Sequence, residues 1–174
     1  MQNSKTEEVN KVFIDLETRS RVSLREAGAA RYARAPSTEV LCVAVKRNDD
    51  PTLVYIPSRF NVRPEGRFIK IPKEELIDIL LSADEIWAHN LEFEYEIWNA
   101  KMRGLELSDP AIFPKLRDTM AICAYRALPR SLENAAKALG LPVEKDMQGN
   151  RIMQRMCKPG RDGEFPWNPE MPFR

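Results

Sequence analysis

Asp15 and Glu17 stand two residues apart at the end of the apolar run "VFIDLETRS" (residues 12–20). If that run is a strand, the two carboxylates share one face, with Leu16 on the other. Bare carboxylates a few ångströms apart repel, and a site keeps both charges only with cations beside them. Oxygen donors suit hard divalent ions, so Mg2+ or Mn2+ is the expected partner. A second stretch, "WAHNLEFEYEIW" (87–98), puts Asn90 at a strand end and Glu94 one helical turn later. In a regular turn Glu94 falls opposite the apolar residues of that helix, from where it could project back over the strand tip. Other chemistries are thinly supplied. His89 is the single histidine, and Cys42, Cys123 and Cys157 lie far apart without a CxxC pair. Multi-histidine metal sites are excluded, and a reducing, cytoplasmic setting fits better than a disulfide framework or a zinc site.

The elements that must position these acids can be read from the pattern. "KVFIDLE" is a short run of β-formers, expected to be a strand buried on both faces. "TEVLCVAVKR" (38–47) and "PTLVYIP" (51–57) are two further strands, joined by the turn residues "NDDP" into a hairpin. "IPKEELIDILLSA" (71–83) has Leu76, Ile79 and Leu80 at helical spacing behind Pro72 and two glutamates. "EIWAHN" (85–90) is a short strand. It runs into a helix with Phe93, Ile97 and Trp98 on one side, ended by Gly104. "FPKLRDTMAICAYRAL" reads as a last short strand leading into a helix, with Asp118 opening that helix as an N-cap. "SLENAAKALG" is a helix capped by Ser131 and stopped at Gly140. Trp87 and Trp98 read as core. Strands first, then strands alternating with helices, imply an α/β domain with a mixed sheet.

Charge is unevenly spread along the 174 residues. Residues 73–109 hold ten acids against three bases, and 115–161 hold ten bases against four acids. Segment 19–34 adds five arginines against one glutamate. An acidic centre between basic flanks suits a site that collects cations and receives a polyanion. No apolar run approaches membrane-spanning length, and "MQNSKTEEVN" is too polar for a signal peptide.

The order of elements and the residues on them resemble the 3′→5′ proofreading exonucleases, which have an RNase H-like fold and four carboxylates in three motifs. "IDLET" (14–18) matches the first motif. "HNLEFE" (89–94) resembles the second, with Glu94 where the family usually has aspartate. "RDTM" (117–120) followed by "SLENAAKALGL" (131–141) is similar to the segment after the family's fifth strand. "GAARYARAPSTEVLCVAV" (28–45) and "GLPVEKDMQGNRIMQRMCKP" (140–159) are similar to the exonuclease domain of phage and prophage DNA polymerases of the family-A type.

The resemblance implies an RNase H-like α/β fold, a mixed sheet flanked by helices, over one domain spanning 1–174. It also implies phosphodiester hydrolysis with two Mg2+ or Mn2+ ions about 3.5–4 Å apart. Asp15 would bridge both ions, Glu17 would hold one, and Glu94 would act on the second through a water. Leu16 and Thr18 would contact the terminal nucleotide of a single-stranded DNA 3′ end, with Phe93 and Asn90 beside it. Arg19, Arg21, Arg25, Arg151, Arg155 and Lys158 are the basic residues available for phosphates. A polymerase domain in the parent gene and a bacterial or phage-infected host are also implied.

The family's third motif, Tyr-x-x-x-Asp or His-x-x-x-Asp, has no match here. The residues four positions after the tyrosines are Pro36, Arg59, Asn99 and Pro129, and Asp146 and Asp162 sit in expected loops. The expectation is a chain that ends before the third-motif helix, with weak or absent turnover on its own. The alternatives are a non-catalytic nucleic-acid-binding module on the same fold and an exoribonuclease.

Overall fold

The computed structural model describes residues 8–60, 68–142 and 147–166. Within them the chain is an α/β domain built on a mixed six-stranded sheet flanked by helices, as in the RNase H-like fold. Its strands are β1 (Lys11–Arg19), β2 (Glu39–Arg47), β3 (Leu53–Tyr55), β4 (Ile69–Ile71), β5 (Glu85–Ala88) and β6 (Leu116–Asp118). Its helices are α1 (Leu24–Arg34), α2 (Lys73–Ser82), α3 (Leu91–Lys101), α4 (Thr119–Tyr125), α5 (Leu132–Ala138) and α6 (Met147–Cys157). The sheet order is β4-β3-β2-β1-β5-β6. β2 runs antiparallel to both β1 and β3, while β5 is parallel to β1 and to β6. β1 is therefore central: β5 pairs with its first residues, Lys11–Phe13, while β2 pairs with it from Val12 to Arg19 and alone holds the end that carries Asp15 and Glu17.

β1 is not buried on both faces as its composition implied. Val12, Ile14 and Leu16 are buried, whereas Phe13 on the alternate face is 42% exposed. The reason is where the helices pack: Tyr32 and Ala33 of α1, Leu76, Ile79 and Leu80 of α2, and Ile97 and Trp98 of α3 join Val12, Ile14 and Leu16 in one core. Each fully buried aliphatic side chain there contributes roughly 1.5–3 kcal/mol. Trp98 also satisfies its indole N–H on the Leu105 carbonyl at 2.7 Å. Trp87, expected in the core, is only half-buried, and its Nε1 donates to Glu85 Oε2 at 3.0 Å.

The hairpin, α2 behind Pro72 and the Ser131 cap all form where the sequence put them; the Ser131 hydroxyl accepts from the Asn134 amide at 3.3 Å. α3 stops at Lys101 rather than at Gly104, which takes φ +104° in the turn beyond. α1, β4 and α6 had no counterpart in the sequence reading. α1 is inserted between β1 and β2 and packs on α3, and it breaks its helical path at Gly28, where φ is +74°. No helix among the described residues is long and apolar enough to cross a membrane. Asp146 and the tail 167–174 lie outside the described residues.

Candidate active site

The expected site residues lie at the end of β1 and in the first turn of α3, two elements that share the core. Asp15 and Glu17 sit on the same face of β1, opposite Val43 and Val45's core side, with Glu17 paired across to Cys42 of β2. The register then slips: Glu17 faces Cys42 but Thr18 faces Val40, so Leu41 is an extra residue on β2. A bulge at this point re-aims the residues beside it and strengthens the local twist. Regular alternation ends there, and Thr18 and Arg19 are both buried.

Glu94 occupies a different place from the one its spacing suggested. It is only 3% exposed and belongs to the buried stripe of α3 with Ile97 and Trp98, three and four residues on. Residues at i, i+3 and i+4 share a helix face, so the acid lies on the core side rather than opposite it. One oxygen of its carboxylate, Oε2, is buried without a hydrogen-bond partner. Its neighbours Glu92 and Glu96 are exposed and half-buried, as solvated acids on a helix should be.

The three carboxylates feel one another. Burial pushes Glu94 up to about 8, and the negative charges of Asp15, Asp118 and Glu17 push the same way. Burial, then the charge of Asp15, raises Glu17 to about 7; the crowding of protein around Asp15 raises it too, although its side chain is still exposed to solvent. Two thiols beside Glu17 respond in kind: Cys42 and Cys157 rise to about 11, through burial first and the Glu17 charge second. Burial is the first cause for all three, and repulsion between the acids adds to it for Glu17 and Glu94. As the side chains stand, however, no three His, Cys, Asp or Glu among the described residues form a group able to hold a metal directly.

Asp118 is a structural acid. Its Oδ1 accepts from the Met120 amide at 2.8 Å as the N-cap of α4 and from the Asn90 amide at 3.1 Å. That second bond fixes Asn90, which starts α3 in the left-handed region at φ +69°. His89 is engaged at both ring nitrogens, Nε2 with the Arg130 carbonyl and Nδ1 with the Thr119 hydroxyl, each at 2.9 Å.

A cleft of about 790 Å³ opens beside Glu17, lined by Leu16, Thr18, Tyr32, Phe93 and residues of α6. Leu16 and Thr18 reach it mainly as buried wall. The Thr18 hydroxyl is hydrogen-bonded to the Tyr32 hydroxyl at 2.9 Å, and the Tyr32 ring tilts against Phe93 at 6.1 Å between centroids. Phe93 thus packs on the core and faces the cleft at once. Asn90 is half-buried at the start of α3 and does not line this cleft. Tyr32 went unnoticed in the sequence, because the alanine-rich run "GAARYAR" carries no stripe strong enough to announce α1.

Over 149 residues, 84% of its length, the chain is 31% identical to a DNA polymerase of Bacillus phage SP02. It is similar to part of a phage DNA polymerase. The chain spans 21% of that protein, so what is shared is one segment of a much longer polypeptide. No family model matches the chain.

Proposed function

We propose that this chain is a metal-dependent 3′→5′ exonuclease domain of proofreading type, acting on the 3′ end of single-stranded DNA. The observation that carries the reading is the buried, unpartnered Oε2 of Glu94 within the field of Asp15 and Glu17. A buried carboxylate oxygen without a donor is destabilising by roughly 1–3 kcal/mol or more, and such a group asks for a functional explanation. The donors are all carboxylate oxygens, which fits Mg2+ or Mn2+. Asp15 and Glu17 would hold the ion directly, and Glu94 would act through a water, in keeping with the lack of a three-residue ligand group. A divalent cation there would supply a water of lowered pKa and neutralise charge at the leaving 3′ oxygen.

The chain's own residues would do the rest. Leu16 and Thr18 would form the wall next to the acids and Phe93 would meet the terminal base, whereas Asn90, its backbone amide held by Asp118 and its side chain away from the cleft, would contribute only by starting α3. Base–aromatic contact is indifferent to sequence, as an exonuclease requires. The similarity to a phage DNA polymerase supports a parent chain in which this domain accompanies a polymerase.

The missing third ligand favours a second reading, a single-strand-binding module without catalysis. A 5′-labelled single-stranded oligonucleotide incubated with the protein in Mn2+ separates the two. Slow shortening from the 3′ end, abolished by the D15A/E17A double variant, is the expected result. Binding without any shortening would overturn the exonuclease reading in favour of the module.

A further inference from the structure

Six basic residues are candidates for phosphate contacts by sequence, and the structure sorts them. Arg19 is buried in a 2.6 Å ion pair with Glu39 and stacks over Phe165, so it belongs to the framework. Arg151 and Arg155 do not line the cleft beside Glu17, whereas Arg21, Arg25 and Lys158 do. These three come from both walls, the entry to α1 and the end of α6, and all are exposed. Glu17 is the single acid among the lining residues. Arg25 and Lys158 have no carboxylate partner among the described residues. Arg21 has one, Glu164, at 3.1 Å, in an ion pair that is exposed on both sides.

We infer that this cleft carries the backbone of the nucleotides 5′ to the scissile phosphodiester, with Arg21, Arg25 and Lys158 on phosphate oxygens and Glu164 holding the place of one phosphate in the free protein. The inference rests on the exonuclease reading for the direction of the strand, but not for the contacts themselves. An arginine guanidinium presents the same fork to a carboxylate as to a phosphate. An exposed ion pair of this kind is worth little, so a phosphate can displace Glu164 easily. The cleft lies along α1, an element inserted between β1 and β2, and on α6; strand entry is therefore controlled by two elements outside the acidic centre. The rim meets the Glu17 end of β1, so with the direction taken from the exonuclease reading the 3′ end of a seated strand reaches Glu17.

The test is binding of a fluorescent oligothymidylate to the full chain in EDTA, over a range of salt, so that no cleavage takes part. Arg25→Ala and Lys158→Ala should each weaken binding and flatten the slope of log K against log salt by about 0.7. Glu164→Gln should do the reverse and tighten binding severalfold, because it removes the competing carboxylate. Arg47→Ala, at the far end of β2 beside Val12, should change nothing. Equal binding by the Arg25, Lys158 and Arg47 variants, or an unchanged or weakened Glu164→Gln, would overturn the inference. Oligothymidylate shortening in Mn2+, run separately, reports on the exonuclease reading: intact binding without shortening would sink that reading alone.

Discussion

Replacing Glu94 by glutamine should make the metal-free protein more stable above neutral pH and flatten its stability against pH. In the unfolded chain Glu94 ionises near its ordinary 4.5, whereas burial holds its proton in the folded chain to about 8. Between those values the folded state binds more protons than the unfolded one, so stability is full at low pH and falls as pH rises. With 1.36 kcal/mol per pKa unit, the whole loss is on the order of 4–5 kcal/mol. About 3 kcal/mol of it is gone by pH 7. Against a total of about 5–15 kcal/mol for an ordinary domain, that is a large fraction. The amide of glutamine has nearly the same shape and no charge to lose. In EDTA at pH 8, Glu94→Gln should therefore be more stable than the parent by about 3–4 kcal/mol, a Tm gain of roughly 10 °C. Glu17, raised to about 7 by burial and by Asp15, leaves a smaller slope of the same sign in both proteins. Urea unfolding at pH 5, 6, 7 and 8 measures the difference directly. Parallel curves for the two proteins, or a variant weaker at pH 8, would show that Glu94 is not held as a strained acid.

Other expectations are more local. Asp118→Ala removes the acceptor shared by the Asn90 and Met120 amides and should lower stability by about 1–3 kcal/mol in a denaturant titration, because two helix starts lose a partner. Trp98→Ala empties the largest fully buried position and strands the Leu105 carbonyl, for a loss of about 3–5 kcal/mol by the same method. Tyr32→Phe deletes one hydroxyl of the buried Thr18 pair and should lower stability by about 1 kcal/mol; a double cycle with Thr18→Val should show coupling between the two.

How far the fold and site could be read from the sequence depended on the signal each element carries. The hairpin announced itself through "NDDP" between β-branched runs, and α2 through Leu76, Ile79 and Leu80 behind Pro72; both rest on local periodicity and turn chemistry. α1 was invisible because its alanines and arginines make no apolar stripe, and its path is broken at Gly28. The three-residue β4 is too short to show any period. Phe13 misled because an apolar run looks the same whether one face or two are covered, and only the packing of the helices decides it. Glu94 misled for a related reason: its position in the 94–97–98 stripe was legible from the spacing, but an acid in a core stripe contradicts what hydrophobic patterning leads one to expect. The residues of the cleft rim could be named but not ranked, since nothing local distinguishes Arg25, which lines it, from Arg19, which is buried against Glu39.

The central claim is that Asp15, Glu17 and Glu94 together form one divalent-cation site, and a Mn2+ titration followed by electron paramagnetic resonance tests it most directly. Free Mn2+ gives a sharp signal that is lost on binding, so the bound fraction is read without substrate or turnover. The expected result is saturable uptake by the parent chain at pH 8, lost in the D15A/E17A double variant and weakened in Glu94→Gln. Uptake that is absent in the parent, or unchanged when both β1 acids are removed, would contradict the account.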